Sequence, residues 1–303
     1  MFRFDAAHKG RQIMQRVPAR HTLPVYIRLL LILSLIPAAA FATTKEEPLV
    51  GPETIVVRSG TVILRGLLWC PGGRGPFPAV LFNHGSGNTL EHQTAQAERL
   101  GRLFATHGYD FLYLFRRGSG LSADAGTSAI ERMDRELAAH GQDARNRLQL
   151  RMLEGDSLED AVAGLAYLRK RADVDPHALV LVGHSYGASL TLLMAAGETS
   201  LRAAVVFSGS AASWDHSPQL QARLLAAVDR TSVPIFFIQA ANDYSIAPTN
   251  VLSAEMKRQG KIYQARIYPA VGRNADEGHD FVDLGVAVWE ADVFSFLDAY
   301  VRH

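Results

Sequence analysis

Apolar residues along the chain fall into short continuous runs that alternate with longer segments of helical spacing. The runs "AVLFN", "YDFLYLF", "ALVLVG", "AAVVFSG" and "PIFFIQA" have the length of strands and few polar positions. Strands of this kind are typical of sheets with both faces covered. Because helical segments separate the runs, the pattern predicts an α/β fold, with a mainly parallel sheet and crossover helices on both faces.

The opening of this region has a different pattern. The stretch "TIVVRSGTVILRGLLWCP" reads as two strands that turn at Ser59-Gly60, which predicts an antiparallel hairpin at one edge of the sheet. Ser157 and Asp160 approximate a capping box at the start of a helix, and residues 173–176 read as a turn. The predicted helices cover residues 94–107, 129–151, 157–171, 188–197, 217–227, 249–259 and 286–301.

Residues 1–42 differ in composition from the rest of the chain. Basic residues precede the apolar run "LLLILSLIPAAAFA", and Ala40-Phe41-Ala42 fits a small-x-small cleavage site. This layout predicts a secretory signal peptide, followed by one domain over residues 43–303. Translation could start at Met1 or at Met14. An uncleaved membrane anchor is the alternative, although the run is short for a spanning helix of roughly 20 residues.

Charge and cysteine content narrow the possible functions. Removal of residues 1–42 would leave 25 basic and 29 acidic residues, a net charge of −4. A mildly acidic chain lacks the basic footprint of a nucleic-acid-binding protein. Cys70 is the single cysteine, so no intramolecular disulfide can form, and we expect this residue to be buried as a small apolar side chain.

The segment "LVLVGHSYGAS" places Ser185 between two glycines where a strand meets a helix. A tight turn there pushes the serine side chain above the sheet, and Gly183 and Gly187 remove Cβ atoms that would collide with nearby backbone. The pattern G-x-S-x-G in this context is the nucleophile elbow of α/β-hydrolases. We therefore predict Ser185 to be a nucleophile.

A nucleophilic serine needs a base, and the base needs an orienting acid. In this fold the acid and then the histidine follow the serine. Asp243 follows a strand 58 residues after Ser185, and His279 lies in a loop 36 residues further on. Asp276 and Asp280 flank the histidine and rank behind Asp243, because they are too close in sequence to fit the usual order. His216 and His303 are weaker candidates for the base.

Backbone N–H groups must stabilise the oxyanion of such a reaction. Tyr186 follows the nucleophile and supplies one predicted donor. The segment "LFNHGSGN" resembles the HG-containing turn of lipases and esterases, and Ser86 is the second predicted donor. We expect His84 to support this loop through hydrogen bonds rather than to transfer protons.

These motifs together resemble the α/β-hydrolase superfamily, specifically its dienelactone hydrolase-like and prolyl oligopeptidase-like branches. The segments "RRGSGLS", "VDPHALVLVGHSYGAS", "QAANDYSIAP" and "EGHDF" carry the likeness, which extends over about residues 53–302. Many dienelactone hydrolases use a cysteine nucleophile, where this chain has Ser185. Prolyl oligopeptidases carry a large N-terminal propeller, and this sequence is too short to include one.

The sequence thus predicts an exported serine hydrolase that acts on small-molecule carboxylic esters without a metal or organic cofactor. Peptide or amide hydrolysis by the same residues is the first alternative, and a non-catalytic binding module is the second. Arg116 and Arg117 could bind a substrate carboxylate, but arginines more often pair with acids and fix a loop. A helical insertion at about residues 121–156 could cover the site or form an ordinary surface helix.

Overall fold

One eight-stranded sheet organises the part of the chain that the computed structural model describes, residues 49–87 and 89–302. The spatial order is β1-β2-β4-β3-β5-β6-β7-β8. Strands β3 to β8 run parallel, whereas β1 pairs antiparallel with β2 and β2 pairs antiparallel with β4. The strands are β1 (Val50–Ser59), β2 (Val62–Cys70), β3 (Phe77–Asn83), β4 (Asp110–Leu114), β5 (Val174–His184), β6 (Ala203–Phe207), β7 (Ile235–Ala240) and β8 (Tyr263–Tyr268).

Helices cover both faces of this sheet, as predicted. Successive side chains of a strand point to opposite faces, so Leu81 belongs to one apolar core and Phe82 to the other. The first core packs beneath α2 to α6, and the second beneath α1 and α9. The helices are α1 (Leu90–Thr106), α2 (Ala129–Glu154), α3 (Asp156–Arg169), α4 (Tyr186–Gly197), α5 (Pro218–Arg230), α6 (Ala247–Arg258), α7 (Ala275–His279), α8 (Phe281–Leu284) and α9 (Val286–Val301).

Two local predictions are wrong. Residues 173–176 are not a separate turn, because Val174 already pairs with Phe77 and begins β5. Ser157 does not cap a helix: α3 begins one residue earlier, and the Ser157 hydroxyl bonds the Tyr186 hydroxyl at 2.9 Å. In both cases a tertiary contact outweighs the local signal that the sequence carries.

The predicted export segment, residues 1–42, lies outside the described residues. Within the described ranges, no helix combines the length and the apolar composition needed to cross a membrane.

Candidate active site

The predicted site residues all follow parallel strands at the carboxyl edge of the sheet. Ser86 lies in the loop after β3, Ser185 directly after β5, Asp243 after β7, and His279 at the end of α7, in the connection after β8. Because parallel strands end at the same edge, four segments that are far apart in sequence meet there.

The turn at Ser185 has the conformation that the sequence predicts. Ser185 adopts φ +55° and ψ −117°, a backbone conformation that residues other than glycine rarely adopt. A Cβ at Gly183 would lie less than 3.0 Å from the Thr191 hydroxyl and the Gly187 carbonyl. A Cβ at Gly187 would likewise lie less than 3.0 Å from the carbonyl oxygens of Asn83 and His84. Glycine at 183 therefore lets β5 pack against the start of α4, and glycine at 187 lets α4 pack against the end of β3.

Ser185, His279 and Asp243 form a continuous chain of hydrogen bonds. The Ser185 Oγ lies 2.7 Å from His279 Nε2, and His279 Nδ1 lies 2.8 Å from Asp243 Oδ1. Since a carboxylate only accepts, the Nδ1–H of His279 donates to Asp243, which leaves the Nε2 lone pair directed at the serine hydroxyl. This is the geometry in which an imidazole can take a proton from a serine.

Asp243 is held as an anion by its neighbours. Burial, the largest influence, raises the pKa of this carboxyl. Hydrogen bonds and charge from His279, with a further bond from Gln239, outweigh burial and lower the pKa below the usual value. Gln239 Nε2 donates to Asp243 Oδ2 at 2.8 Å, and the Tyr244 N–H donates to Oδ1 at 2.7 Å. No motif in the sequence indicates that Gln239 bonds Asp243.

The alternative acids have other contacts. Asp276 accepts a hydrogen bond from the Tyr244 hydroxyl, and Asp280 lies 3.8 Å from His92. His216 lies in the short 3₁₀ turn Trp214–His216, and His303 lies outside the described residues. Of the candidate acids, Asp243 is therefore the one that bonds His279.

His184, directly before Ser185, anchors the loop that carries His279. Its side chain is buried, and Nε2 lies 2.9 Å from the backbone carbonyl of His279. Because a carbonyl only accepts, this nitrogen carries the proton. Burial and the charge of His279 lower the pKa of His184, so the ring stays neutral. The motif G-x-S-x-G leaves this position open, so the sequence did not reveal this role.

Two backbone N–H groups next to Ser185 are free to bind an anion. Tyr186 is the first residue of α4, where an amide has no acceptor within the helix. Among the described residues, no acceptor bonds the Ser86 N–H, and both residues line the cavity beside Ser185. His84 supports the loop as expected: Nδ1 bonds the Gly85 carbonyl at 2.7 Å, and Nε2 accepts from the Arg116 N–H at 3.1 Å.

Arg116 and Arg117 hold loops in place and do not line the cavity beside Ser185. Arg117 pairs with buried Asp160, Nη2 to Oδ1 at 2.6 Å. Buried Arg116 instead donates Nη2 to the carbonyls of His84 and Gly85, at 2.7 and 2.8 Å. The expectation of an acid partner is met by Arg117, whereas the contacts of Arg116 are backbone carbonyls.

A cavity of about 230 Å³ opens beside Ser185, and α2 forms part of its wall. Gly141, at φ +81°, breaks α2 into two helical arms, residues 129–140 and 142–154. Ile130 and Met133 of the first arm and Arg145 and Gln149 of the second arm line the cavity. The helical insertion that the sequence predicts at about residues 121–156 therefore contributes side chains to this space.

Arg145 brings a positive charge to the cavity, and no sequence motif indicates this role. It donates Nη1 to Gln149 at 3.4 Å, and among the described residues no carboxylate lies within salt-bridge distance. Burial lowers the pKa of this guanidinium, although Asp134 raises it, and the arginine remains a cation. An arginine in this position can meet an acidic or carbonyl group of a ligand.

His92, Asp280 and Asp283 are grouped closely enough behind the cavity to hold a metal ion. Asp283, however, accepts from Gln96 at 2.7 Å and pairs with Arg99 at 3.1 Å. These contacts account for the charge of this buried carboxylate without a metal.

Comparison with known proteins agrees with this architecture. The model of the dienelactone hydrolase family matches residues 65–282. Among curated proteins, none matches the chain. Solved structures that resemble it include the dienelactone hydrolase from Anabaena variabilis, with a TM-score of 0.57 and 18% identity over 82% of this chain and 98% of that chain.

Peptidases resemble the chain over a smaller part of their own length. Pyrococcus horikoshii acylaminoacyl peptidase has a TM-score of 0.54 and 17% identity over 79% of this chain and 41% of that chain. Porphyromonas gingivalis dipeptidyl peptidase 4 has a TM-score of 0.56 and 14% identity over 84% of this chain and 36% of that chain. At these identities the likeness extends to the fold alone. Since the family model matches well over half of the sequence, the chain belongs to the dienelactone hydrolase family of α/β-hydrolases.

Proposed function

We propose that the protein is an exported serine hydrolase that cleaves carboxylic esters through an acyl-enzyme on Ser185. The observation that carries the proposal is the hydrogen-bonded chain of Ser185, His279 and Asp243 beside a cavity with two free backbone N–H groups. Family membership supports the hydrolase class. The serine mechanism and the ester preference are the proposed part.

In the proposed reaction His279 Nε2 takes the proton of the Ser185 hydroxyl while Oγ attacks the acyl carbon. Asp243 orients the imidazole and stabilises the imidazolium that forms. The N–H groups of Ser86 and Tyr186 donate to the oxyanion of the tetrahedral intermediate. His279 then protonates the departing alcohol. In the second half, His279 activates a water molecule that releases the acyl group.

The cavity favours a small ester. Its volume of about 230 Å³ lies below the roughly 300–1,000 Å³ of pockets for drug-sized ligands. Apolar side chains from the first arm of α2, Ile130 and Met133, suit a short acyl chain, and Arg145 of the second arm suits an acidic or carbonyl group. An ester also needs less help from an acid than an amide does, because an alkoxide is a better leaving group than an amide anion.

Export rests on the sequence of residues 1–42 alone. A cleaved signal peptide would release the mature chain from the membrane, whereas an uncleaved segment would anchor it. N-terminal sequencing of the protein from fractionated cells separates these outcomes. A mature chain that begins near residue 43 in the periplasm or medium supports export.

A fluorophosphonate probe tests the nucleophile. We expect folded wild-type protein to be labelled at Ser185, and Ser185→Ala to lose both labelling and ester hydrolysis. Folded protein without labelling would favour a binding module that does not catalyse. Matched ester and amide substrates with one acyl group test the bond that is cleaved, since faster release from the amide would favour a peptidase.

A further inference from the structure

A cluster of metal-ligating side chains lies at the edge of the sheet opposite the candidate active site. Cys70 ends β2 and Asp110 begins β4. These strands pair antiparallel with Trp69 opposite Phe111, so Cys70 lies opposite Asp110 at the next position. Asp173 directly precedes β5. Three chain segments therefore bring one thiol and two carboxylates together at strand ends.

The ligand atoms of this cluster are close enough to share one ion. The Cys70 Sγ and one oxygen each from Asp110 and Asp173 all lie within 4.8 Å of one another. In tetrahedral zinc sites Zn–S is about 2.3 Å and Zn–O about 2.0–2.2 Å, which sets neighbouring ligand atoms roughly 3.5 Å apart. Small side-chain rotations of Cys70 and Asp173, both only partly buried, would close the difference.

Asp110 gives a second and independent reason to expect a ligand. Its side chain is 0% exposed, and among the described residues neither carboxylate oxygen has a hydrogen-bond partner other than the neighbouring Cys70 thiol, which is a weak donor. A buried polar group without a partner is strongly unfavourable, and native structures rarely retain one without an explanation. A cation bound between the three side chains would satisfy these oxygens.

Arg171 pairs with Asp173 much as Arg99 pairs with Asp283. The arginine contact alone therefore does not separate this cluster from the other group of possible ligands, and the buried Asp110 carries the distinction. The Arg171 guanidinium donates to both carboxylate oxygens of Asp173, at 2.9 and 2.6 Å, which fixes the orientation of the carboxylate. Each oxygen keeps another lone pair for a metal. With the thiol ionised the cluster carries three negative charges, and Arg171, which also lies 3.6 Å from Glu53, offsets them only in part. A divalent cation would offset most of the remaining charge.

We propose that Cys70, Asp110 and Asp173 bind a zinc ion that ties together the ends of β2, β4 and the segment before β5. The thiolate donor favours zinc over calcium or magnesium, which prefer all-oxygen sites. The Asp173 side chain is 36% exposed, so solvent can supply the fourth ligand. The proposal is independent of the ester chemistry at the opposite edge of the sheet.

Titration of the untagged full chain with Co²⁺ and Zn²⁺ tests the site. We expect one Co²⁺ per chain with a thiolate-to-cobalt charge-transfer band, which Zn²⁺ displaces, and a higher Tm with Zn²⁺. Cys70→Ser should abolish the band. Asp110→Asn, close to the same shape, should weaken zinc affinity by at least about 100-fold, because even outer-shell changes weaken metal binding 10–100-fold.

His92→Gln is the matched control, because His92 belongs to the other group of possible ligands. Zinc affinity and the cobalt band should be unchanged in this variant. The proposal is wrong if folded wild-type protein gives no charge-transfer band at micromolar to millimolar Co²⁺, or if the band persists in folded Cys70→Ser. Loss of zinc binding in His92→Gln alone would place the ion at the other group.

Discussion

Gly187→Ala should damage both the stability of the protein and its chemistry through one steric conflict. An added Cβ would lie less than 3.0 Å from the carbonyl oxygens of Asn83 and His84. Both are backbone atoms, so no side-chain rotation relieves the overlap. Either α4 must move away from β3, or the segment that leads to Ser86 must shift.

The magnitude follows from these contacts. Ordinary van der Waals separation is about 3.5 Å, so the backbone must shift by roughly 1.5 Å to clear the Asn83 carbonyl. Overpacking of this kind typically costs about 1–3 kcal/mol of unfolding free energy, and we expect the upper end because backbone atoms are involved. Ser86 lies two residues after His84, so its N–H should move as well. A displacement of about 1 Å lowers activity by roughly 100-fold.

Gly197→Ala is a matched control on the same helix. Gly197 ends α4, and apart from its own helix and chain neighbours no atom of the described residues lies within 4 Å of an added Cβ. This change should leave activity intact. Because alanine favours a helix more than glycine does, the unfolding free energy should rise by at most about 1 kcal/mol. Urea denaturation and kcat/KM for a short-chain ester measure both effects. Wild-type stability and kcat/KM in Gly187→Ala would refute the steric account of the elbow.

Three further predictions concern side chains around the cavity. Asp243→Asn should lower kcat by about 10³- to 10⁴-fold. Since the folded pKa of Asp243 is lowered, the wild-type carboxylate stabilises the fold above about pH 4 and loses this effect as the pH falls further. The unfolding free energy measured in urea should therefore fall less between about pH 5 and pH 3 in the variant than in the wild type. An equal fall in both proteins would contradict this reasoning. His184→Gln keeps an N–H for the His279 carbonyl and should retain more kcat than His184→Leu. Equal kcat values in the two variants would exclude the anchoring role. Arg145→Gln should raise KM about 10-fold for an ester that carries a carboxylate, relative to a neutral ester of the same size. Arg135→Gln, on the exposed side of α2, should leave that ratio unchanged.

Periodicity was sufficient to predict most of the fold because the sheet is buried on both faces. Continuous apolar runs marked the central strands, and the final helix has its predicted bounds, Val286–Val301. Boundaries were missed both at a local cap and at a tertiary contact. Helix α1 begins at Leu90, four residues before the prediction, because Thr89 caps it by accepting from the His92 N–H. Ser157 has the sequence of a cap and instead bonds Tyr186.

The site was predictable to the extent that its residues stand at strand ends. Ser185, Asp243 and His279 each follow a strand in an order that the fold constrains, so the sequence alone could rank them. Arg145 could not be found this way. It lies in the middle of a helix whose facing surface depends on the break at Gly141. A helical pattern shows which residues share a face, but not which cavity that face covers.

Arg116 connects the two segments that supply the predicted oxyanion donors. Its Nη2 holds the His84 and Gly85 carbonyls in the segment before Ser86, and its Cζ lies 5.4 Å from the ring of Tyr186. Burial lowers the pKa of Arg116, although Tyr186, Tyr113 and Asp160 raise it, and the arginine remains charged. Among the described residues no acid pairs with it directly. A buried cation without a directly paired acid keeps its field, and in the proposed reaction this field would favour the negative oxygen of the intermediate on Ser185. Of the two roles that the sequence left open for Arg116, its contacts support the one that fixes a loop, although its partners are backbone carbonyls and not an acid.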